Sequence, residues 1–227
     1  MINGIRLKVC GLTSLVDAET ADGCGADYLG FILHPKSPRY LPLDAFKAML
    51  PRLPDRKKVA VVVEPEPELL PQLLAAGFDT VQLHFSNDLP FFQVALWAEA
   101  IPADALWFAP RVAPGKELDP AFLPLANTIL FDAYDPNAFG GTGKTSDWST
   151  FASLKERYSR PQWILAGGLN PENIGAAIAA AGTNFVDVNS GVEAAPGIKD
   201  REKVKAFVLA LHRATAKNNP SYGSGAV

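Results

Sequence analysis

Eight short apolar runs alternate strictly with eight longer amphipathic segments along the 227 residues, and the last two runs end in glycine-rich turns. That pattern predicts a single-domain α/β protein, a (β/α)8 TIM barrel. Strict alternation implies right-handed crossovers and parallel strands. An open doubly wound sheet is the competing architecture. Eight units in roughly 220 residues favour closure, and the first turn, CGLTS (10–14), lacks a dinucleotide-binding GxGxxG.

The runs are IRLKV (5–9), YLGFIL (28–33), KVAVVV (58–63), TVQLH (80–84), LWFA (106–109), TILFD (128–132), QWILA (162–166) and FVDV (185–188). Each has the length of a strand buried on both faces. Helices are expected over 14–24, 43–52, 66–76, 88–99, 118–125, 148–158, 171–181 and 200–216. The fifth is the weakest, because Pro120 and Pro124 interrupt it. The barrel is expected to occupy 1–216, and the polar, glycine-containing stretch 217–227 reads as a frayed tail.

Bulk composition agrees with a large core: 48% of residues are hydrophobic and 20% charged. The formal net charge of −3 argues against nucleic acid as a partner. An anionic small molecule remains compatible, since amides at helix starts hold phosphate without a basic surface. Cys10 and Cys24 suggest neither a disulfide framework nor a metal cluster, which points to a reducing, cytoplasmic setting. The start, MINGIRLKVCGL, has no long apolar stretch of the signal-peptide kind. No run of about 18 apolar residues is present, so no membrane span is expected.

In such a barrel the chemistry sits at the carboxyl ends of the strands. Cys10 ends the first run. A thiolate there is a base or nucleophile if nearby charge lowers its pKa, and position alone leaves it open between that role and a small buried filler. Cys24, inside GCGAD, reads as filler. Arg39 follows the second run and has the planar fork that binds a carboxylate, although a proline-rich loop commonly carries a surface arginine. Gln82 and His84 share a face by period two, either in the site or as polar barrel fillers. Asp132 directly follows an apolar strand, where a carboxyl is expensive to bury without purpose. It is an acid with a raised pKa, or a turn cap. The stretch 140–148, GGTGKTSDW, reads as a lid or anion-contacting loop, with Gly141, Thr142 and Gly143 at its centre. Gly167 and Gly168 after the seventh run, and Ser190 and Gly191 after the eighth, lie where these barrels bind phosphate. The alternative is simple tight turns.

KVCGL (8–12), SPR (37–39), VQLH (81–84), GGTG (140–143) with DW (147–148), LAGGL (165–169), DVNSGVE (187–193) and GIKD (197–200) occur in that order over nearly the whole chain. The ordered set resembles the phosphoribosylanthranilate isomerase family of tryptophan biosynthesis. The resemblance implies an Amadori rearrangement of a phosphorylated small molecule, with no metal and no organic cofactor, by a monomer or homodimer. It implies Cys10 as general base, Asp132 as general acid and Arg39 at the substrate carboxylate. The glycine turns would hold the phosphate, with the GGTG loop nearby. Asp187 is either a contact to the sugar or a structural carboxylate. Cys10 is expected to be a thiolate and Asp132 to start protonated. Two positions depart from the family pattern. Phe85 replaces a glycine and is expected to crowd the edge of the site. Ser146 replaces an aromatic and is expected to weaken a lid contact. Related sugar-phosphate barrels use paired aspartates, or a lysine with glutamates, and the strand-end cysteine argues against them. A non-catalytic phosphate-binding barrel is the reading from another class, and it would not need Cys10 or Asp132.

Overall fold

The structure, a computed structural model, describes residues 1–113, 115–133 and 145–216. The strands are β1 (Arg6–Val9), β2 (Tyr28–Ile32), β3 (Lys57–Val63), β4 (Thr80–Ser86), β5 (Leu106–Arg111), β6 (Thr128–Phe131), β7 (Gln162–Leu165) and β8 (Phe185–Val188). They form a closed parallel barrel in sequence order. The barrel shuts where β1 pairs with β8, from Arg6 opposite Phe185 to Val9 opposite Val188. The expected (β/α)8 architecture is the observed one.

The helices are α1 (Leu15–Gly23), α2 (Leu43–Met49), α3 (Leu69–Ala75), α4 (Phe91–Ala100), α5 (Trp148–Arg157), α6 (Ile174–Ala181) and α7 (Arg201–Ala216). Their starts follow capping chemistry where the sequence supplies it. Ser14 accepts from the Asp17 amide, and Asp147 accepts from the amides of Ser149 and Thr150. The fifth crossover is not an α-helix. Residues Pro120–Leu125 form a 3-10 segment, because Pro124 has no N–H to give an α-helical ladder. After β8 the chain makes a 3-10 turn (Ser190–Val192) and then an unforeseen hairpin of β9 (Glu193–Ala195) and β10 (Ile198–Lys199). The tail expected at 217–227 lies outside the described residues.

Period-two alternation sorts the strand residues between two cores. Outward residues such as Leu7, Val9, Leu83, Phe85, Phe108 and Val186 pack beneath the helices. Inward residues form a separate cluster that includes Cys10, Val59, Val61, Trp107, Leu130, Ile164 and Phe185. Its floor is aromatic. The Phe185 ring stacks 5.1 Å from Tyr28 and meets Trp107 edge-on at 5.5 Å, while the Arg6 guanidinium sits 4.8 Å over its face. This plug closes the amino-terminal end and leaves the carboxyl end for polar groups.

Truncating the plug should therefore loosen the barrel without touching its chemistry. Phe185→Ala is expected to lower unfolding free energy by about 3–5 kcal/mol, read from denaturant unfolding. A loss below about 1 kcal/mol would mean that the floor repacks around the vacancy.

Candidate active site

The inward positions one step above the apolar layer are polar or ionisable: Lys8 and Cys10, Gln82 and His84, Asp132, and Asp187. All of them but the fully buried Lys8 line a cavity of about 510 Å³ at the carboxyl ends of the strands. Arg39, Gly167, Gly168 and Ser190 also line it. The strand-end reading therefore brings most of its candidates to one place.

Lys8 has a fully buried side chain and donates to Asp187 Oδ2 at 2.8 Å. The two residues are register partners across the closing seam, so their side chains emerge on the same face. Lys8 stays charged because Asp187 and Cys10 outweigh its burial. Burial pushes the Asp187 carboxyl up against the pull of Lys8. Its other oxygen, Oδ1, is buried with no partner among the described residues. Burial also pushes the Cys10 thiol above its ordinary range, with Lys8 and Lys199 pulling the other way. This runs against the expected resting thiolate: burial favours the protonated thiol, because desolvation exceeds the help from neighbouring cations.

Asp132 is the opposite case. Burial raises its pKa from 3.8 to about 6, although the Ala133 amide donates to Oδ1 at 2.8 Å. A carboxyl so placed is a proton donor near neutrality. Gln82 Nε2 and His84 Nε2 lie 2.8 Å apart on the same face of β4. Burial and the Lys8 charge push His84 down to about 3, so its ring is neutral.

Arg39 is buried rather than a surface arginine. Its Nε and Nη2 donate to Glu193 Oε1 and Oε2 at 2.9 and 2.8 Å. Glu193 also accepts from Lys199 Nζ at 2.8 Å, and Lys199 reaches Asn189. The edge of the fork formed by Nε and Nη2 is therefore already occupied, and Arg39 is fixed to the hairpin after β8. On the far side, Gly167 and Gly168 have φ of +87° and +61°, which suits glycine. A Cβ on Gly191 would lie 2.0 Å from the Leu169 carbonyl oxygen, so only glycine lets the turns after β7 and β8 meet. The Ser190–Val192 turn begins there with amides that lack intrahelical acceptors.

Two expectations change. Phe85 does not crowd the site. It points outward, fully buried among Trp97, Phe108 and Phe122, because it alternates with His84. Ser146 is buried and replaces the missing aromatic contact with polar ones: its Oγ donates to the Ala166 carbonyl at 2.7 Å and its amide to Gly167 at 3.3 Å. Gly141, Thr142 and Gly143 lie outside the described residues. Sequence reasoning missed Lys8, Glu193 and Lys199 as parts of the site. For Lys8 the signal was available, since it shares the period-two face of Cys10. Among the described residues, no three His, Cys, Asp or Glu side chains group as a metal site requires. No described helix is long and apolar enough to cross a membrane.

The family model for N-(5′-phosphoribosyl)anthranilate (PRA) isomerase matches residues 7–210. The N-(5′-phosphoribosyl)anthranilate isomerase of Zymomonas mobilis is 36% identical over 212 residues, covering 91% of this chain and 98% of that protein. Among solved structures, the phosphoribosyl anthranilate isomerase of Thermus thermophilus aligns with a TM-score of 0.77 at 31% identity, covering 92% of this chain and 99% of that one. A phosphoribosyl anthranilate isomerase in complex with reduced 1-(o-carboxyphenylamino)-1-deoxyribulose 5-phosphate aligns at 0.70 and 32% identity, covering 95% and 100%. Monomers generated from the dimeric Thermotoga maritima enzyme align at 0.70 and 33%, covering 91% and 97%.

The raised Asp132 pKa has a consequence for stability. The folded chain holds this proton more tightly than the unfolded one. The stabilisation is complete below the unfolded pKa near 3.8 and is lost as pH rises through about 6. The difference is worth about 3 kcal/mol at about 1.4 kcal/mol per pH unit. Asp132→Asn is neutral throughout. Its stability relative to the parent chain should improve by up to about 3 kcal/mol between about pH 4 and pH 7, measured by urea unfolding. A gap that stays flat over that range would contradict a raised carboxyl.

Proposed function

The chain belongs to the N-(5′-phosphoribosyl)anthranilate isomerase family, and from that premise we propose how its own residues carry the reaction. It is an aldose–ketose isomerase. It converts N-(5′-phosphoribosyl)anthranilate to 1-(2-carboxyphenylamino)-1-deoxyribulose 5-phosphate, a step of tryptophan biosynthesis. The observation that carries the residue assignment is a half-buried carboxyl with its pKa at about 6 and a buried thiol lining one cavity.

Asp132 gives its proton to the furanose ring oxygen. The C1′–O bond breaks, the anilino nitrogen lone pair forms the C=N bond, and the ring opens to a protonated Schiff base. The Cys10 thiolate then takes the C2′ proton, and those electrons return to nitrogen as an enolamine. A proton moves from the C2′ hydroxyl to C1′, giving the ketone. Proton transfers to and from these side chains drive each step, and the proposed mechanism assigns no role to a metal or an organic cofactor. Arg39, held by Glu193, faces the anthranilate carboxylate with the part of its fork that Glu193 leaves. The backbone at Gly167, Gly168, Ser190 and Gly191 receives the phosphate. Fixing the substrate at both ends holds the ribose between acid and base. Asp187 Oδ1 and Gln82 Oε1, both buried without a partner among the described residues, accept from its hydroxyls. His84 orients Gln82. The catalytic unit is 1–216, acting as a monomer or homodimer in the cytoplasm on a phosphorylated small molecule, with neither nucleic acid nor membrane as partner.

The active form needs Asp132 protonated and Cys10 deprotonated, the reverse of the order in which the two lose protons as pH rises. Turnover should rise toward about pH 6, hold level, and fall only above the thiol's pKa. Following the fluorescence of freshly generated substrate, Cys10→Ala and Asp132→Asn should each lose at least about 10²–10⁴-fold in kcat with the fold intact by circular dichroism. Near-parental turnover in both would overturn the assignment.

A further inference from the structure

Beside the cavity lies a fully buried cation to which the proposed reaction steps give no role. Lys8 sits on β1 two residues before Cys10, with a side chain exposed by 0%. Its ammonium bonds Asp187 at 2.8 Å and interacts with the Cys10 thiol. Space for this approach is made by the neighbouring strand. A Cβ on Gly30 of β2 would lie 2.9 Å from Lys8 Cε and 3.0 Å from Cys10 Sγ. Any side chain at Gly30 would push the ammonium arm or the sulfur aside. Gly30 has an ordinary negative φ, so glycine is required here by this contact and not by the backbone.

Resting on the reading of Cys10 as the base, we propose that Lys8 is a positioning residue for catalysis: its buried ammonium supplies the counter-charge that lets the Cys10 thiolate form. Among the described residues whose charge acts on the sulfur, Lys8 is the one placed for that task. On β8, Asp187 opposes a second anion and is itself bound to Lys8. On β10, Lys199 adds favourable charge at longer range, but its ammonium already bonds Glu193 and Asn189. Arg39 is held by both oxygens of Glu193. His84 on β4 is neutral. Asp132, after β6, feels Lys8 only as a secondary influence. One ammonium therefore serves two anions, Asp187 permanently and the thiolate when it forms. A substrate hydroxyl donating to Asp187 Oδ1 takes over part of that carboxylate's demand and leaves more of Lys8 for the sulfur.

The test uses the full chain with Cys24→Ser, which leaves Cys10 as its single thiol. Lys8→Met removes the charge with little change in length, and Lys8→Arg keeps it. The first readout is the pH dependence of Cys10 alkylation by iodoacetamide, which needs no turnover. The second is kcat against pH. Lys8→Met should move the alkylation midpoint up by a pH unit or more, which is at least a tenfold loss of thiolate at fixed pH. The level part of the kcat profile should fall by a similar factor, its alkaline limb should move up, and Lys8→Arg should recover part of both. An unmoved alkylation midpoint, or lost activity with an unmoved alkaline limb, overturns the proposal. Should Lys8→Met fail to fold with Asp187 unpaired, Lys8→Met/Asp187→Asn is compared with Asp187→Asn alone, and the same upward movement is expected. If the midpoint moves but Cys10→Ala still turns over, the base assignment fails while the Lys8–Cys10 coupling stands.

Discussion

The structure depends on the seam where the last strand finds the first. Parallel pairing of β1 with β8 closes the barrel, and its register sets Lys8 beside Asp187 with 178 residues of chain between them. Neither charge survives burial alone. Removing one partner of a buried pair typically costs about 3–5 kcal/mol, whereas replacing both by apolar groups is often neutral. The pair is therefore poor evidence of stability for its own sake. Its cost is explained by where it stands, at the mouth of the barrel beside the thiol. Closure of the sheet and assembly of the site are one event, because the register that satisfies the ladder also brings these charges together.

Everything else in the interior follows from the period of two. Below the seam pair the inward face is apolar and aromatic, ending in the Tyr28, Trp107 and Phe185 plug. Above it the inward face is ionisable. A one-residue register slip would exchange the two faces, burying His84 and Asp187 under helices and turning Phe85 and Val186 into the cavity. The same alternation explains why Phe85, an aromatic beside the site in sequence, leaves the site untouched in space.

The fold was legible because its signals are local. Eight apolar runs stood at strand length, and each strand falls within two residues of its expected bounds. Helix starts were less so, since α3 and α6 begin three residues late behind proline-containing turns. The fifth crossover was marked as weak by the same prolines that make it 3-10. The β9–β10 hairpin was invisible, because strands of three and two residues carry no pattern. In the site, strand-end position singled out Cys10, Asp132, Gln82 and His84 but left each open between a functional and a structural role, and the ordered motifs were needed to assign Cys10 and Asp132. Glu193 and Lys199 were not singled out, because their importance lies in partners distant in sequence: Glu193 meets Arg39 across 154 residues. The Cys10 thiolate was misjudged for a related reason, since burial cannot be read from a strand-end position.

Burial poses the site an electrostatic problem. Desolvation raises the pKa of any acid, so one dry cavity pushes the Asp132 carboxyl and the Cys10 thiol in the same direction. For Asp132 this is useful, as it keeps a proton to donate. For Cys10 it is harmful, as it withholds the base. A uniform environment cannot serve both, and opening the cavity to water would relax both shifts together. Separation requires a charge placed asymmetrically. Lys8 lowers both pKa values, but its charge weighs heavily on the thiol and acts on Asp132 only behind the Ala133 amide and the Asp187 charge. Asp187 works the other way, raising Asp132 further and drawing on the ammonium that Cys10 needs. The geometry of three side chains on two adjacent strands thus sets how far apart the acid and the base can be driven, and with it the fraction of molecules ready to react.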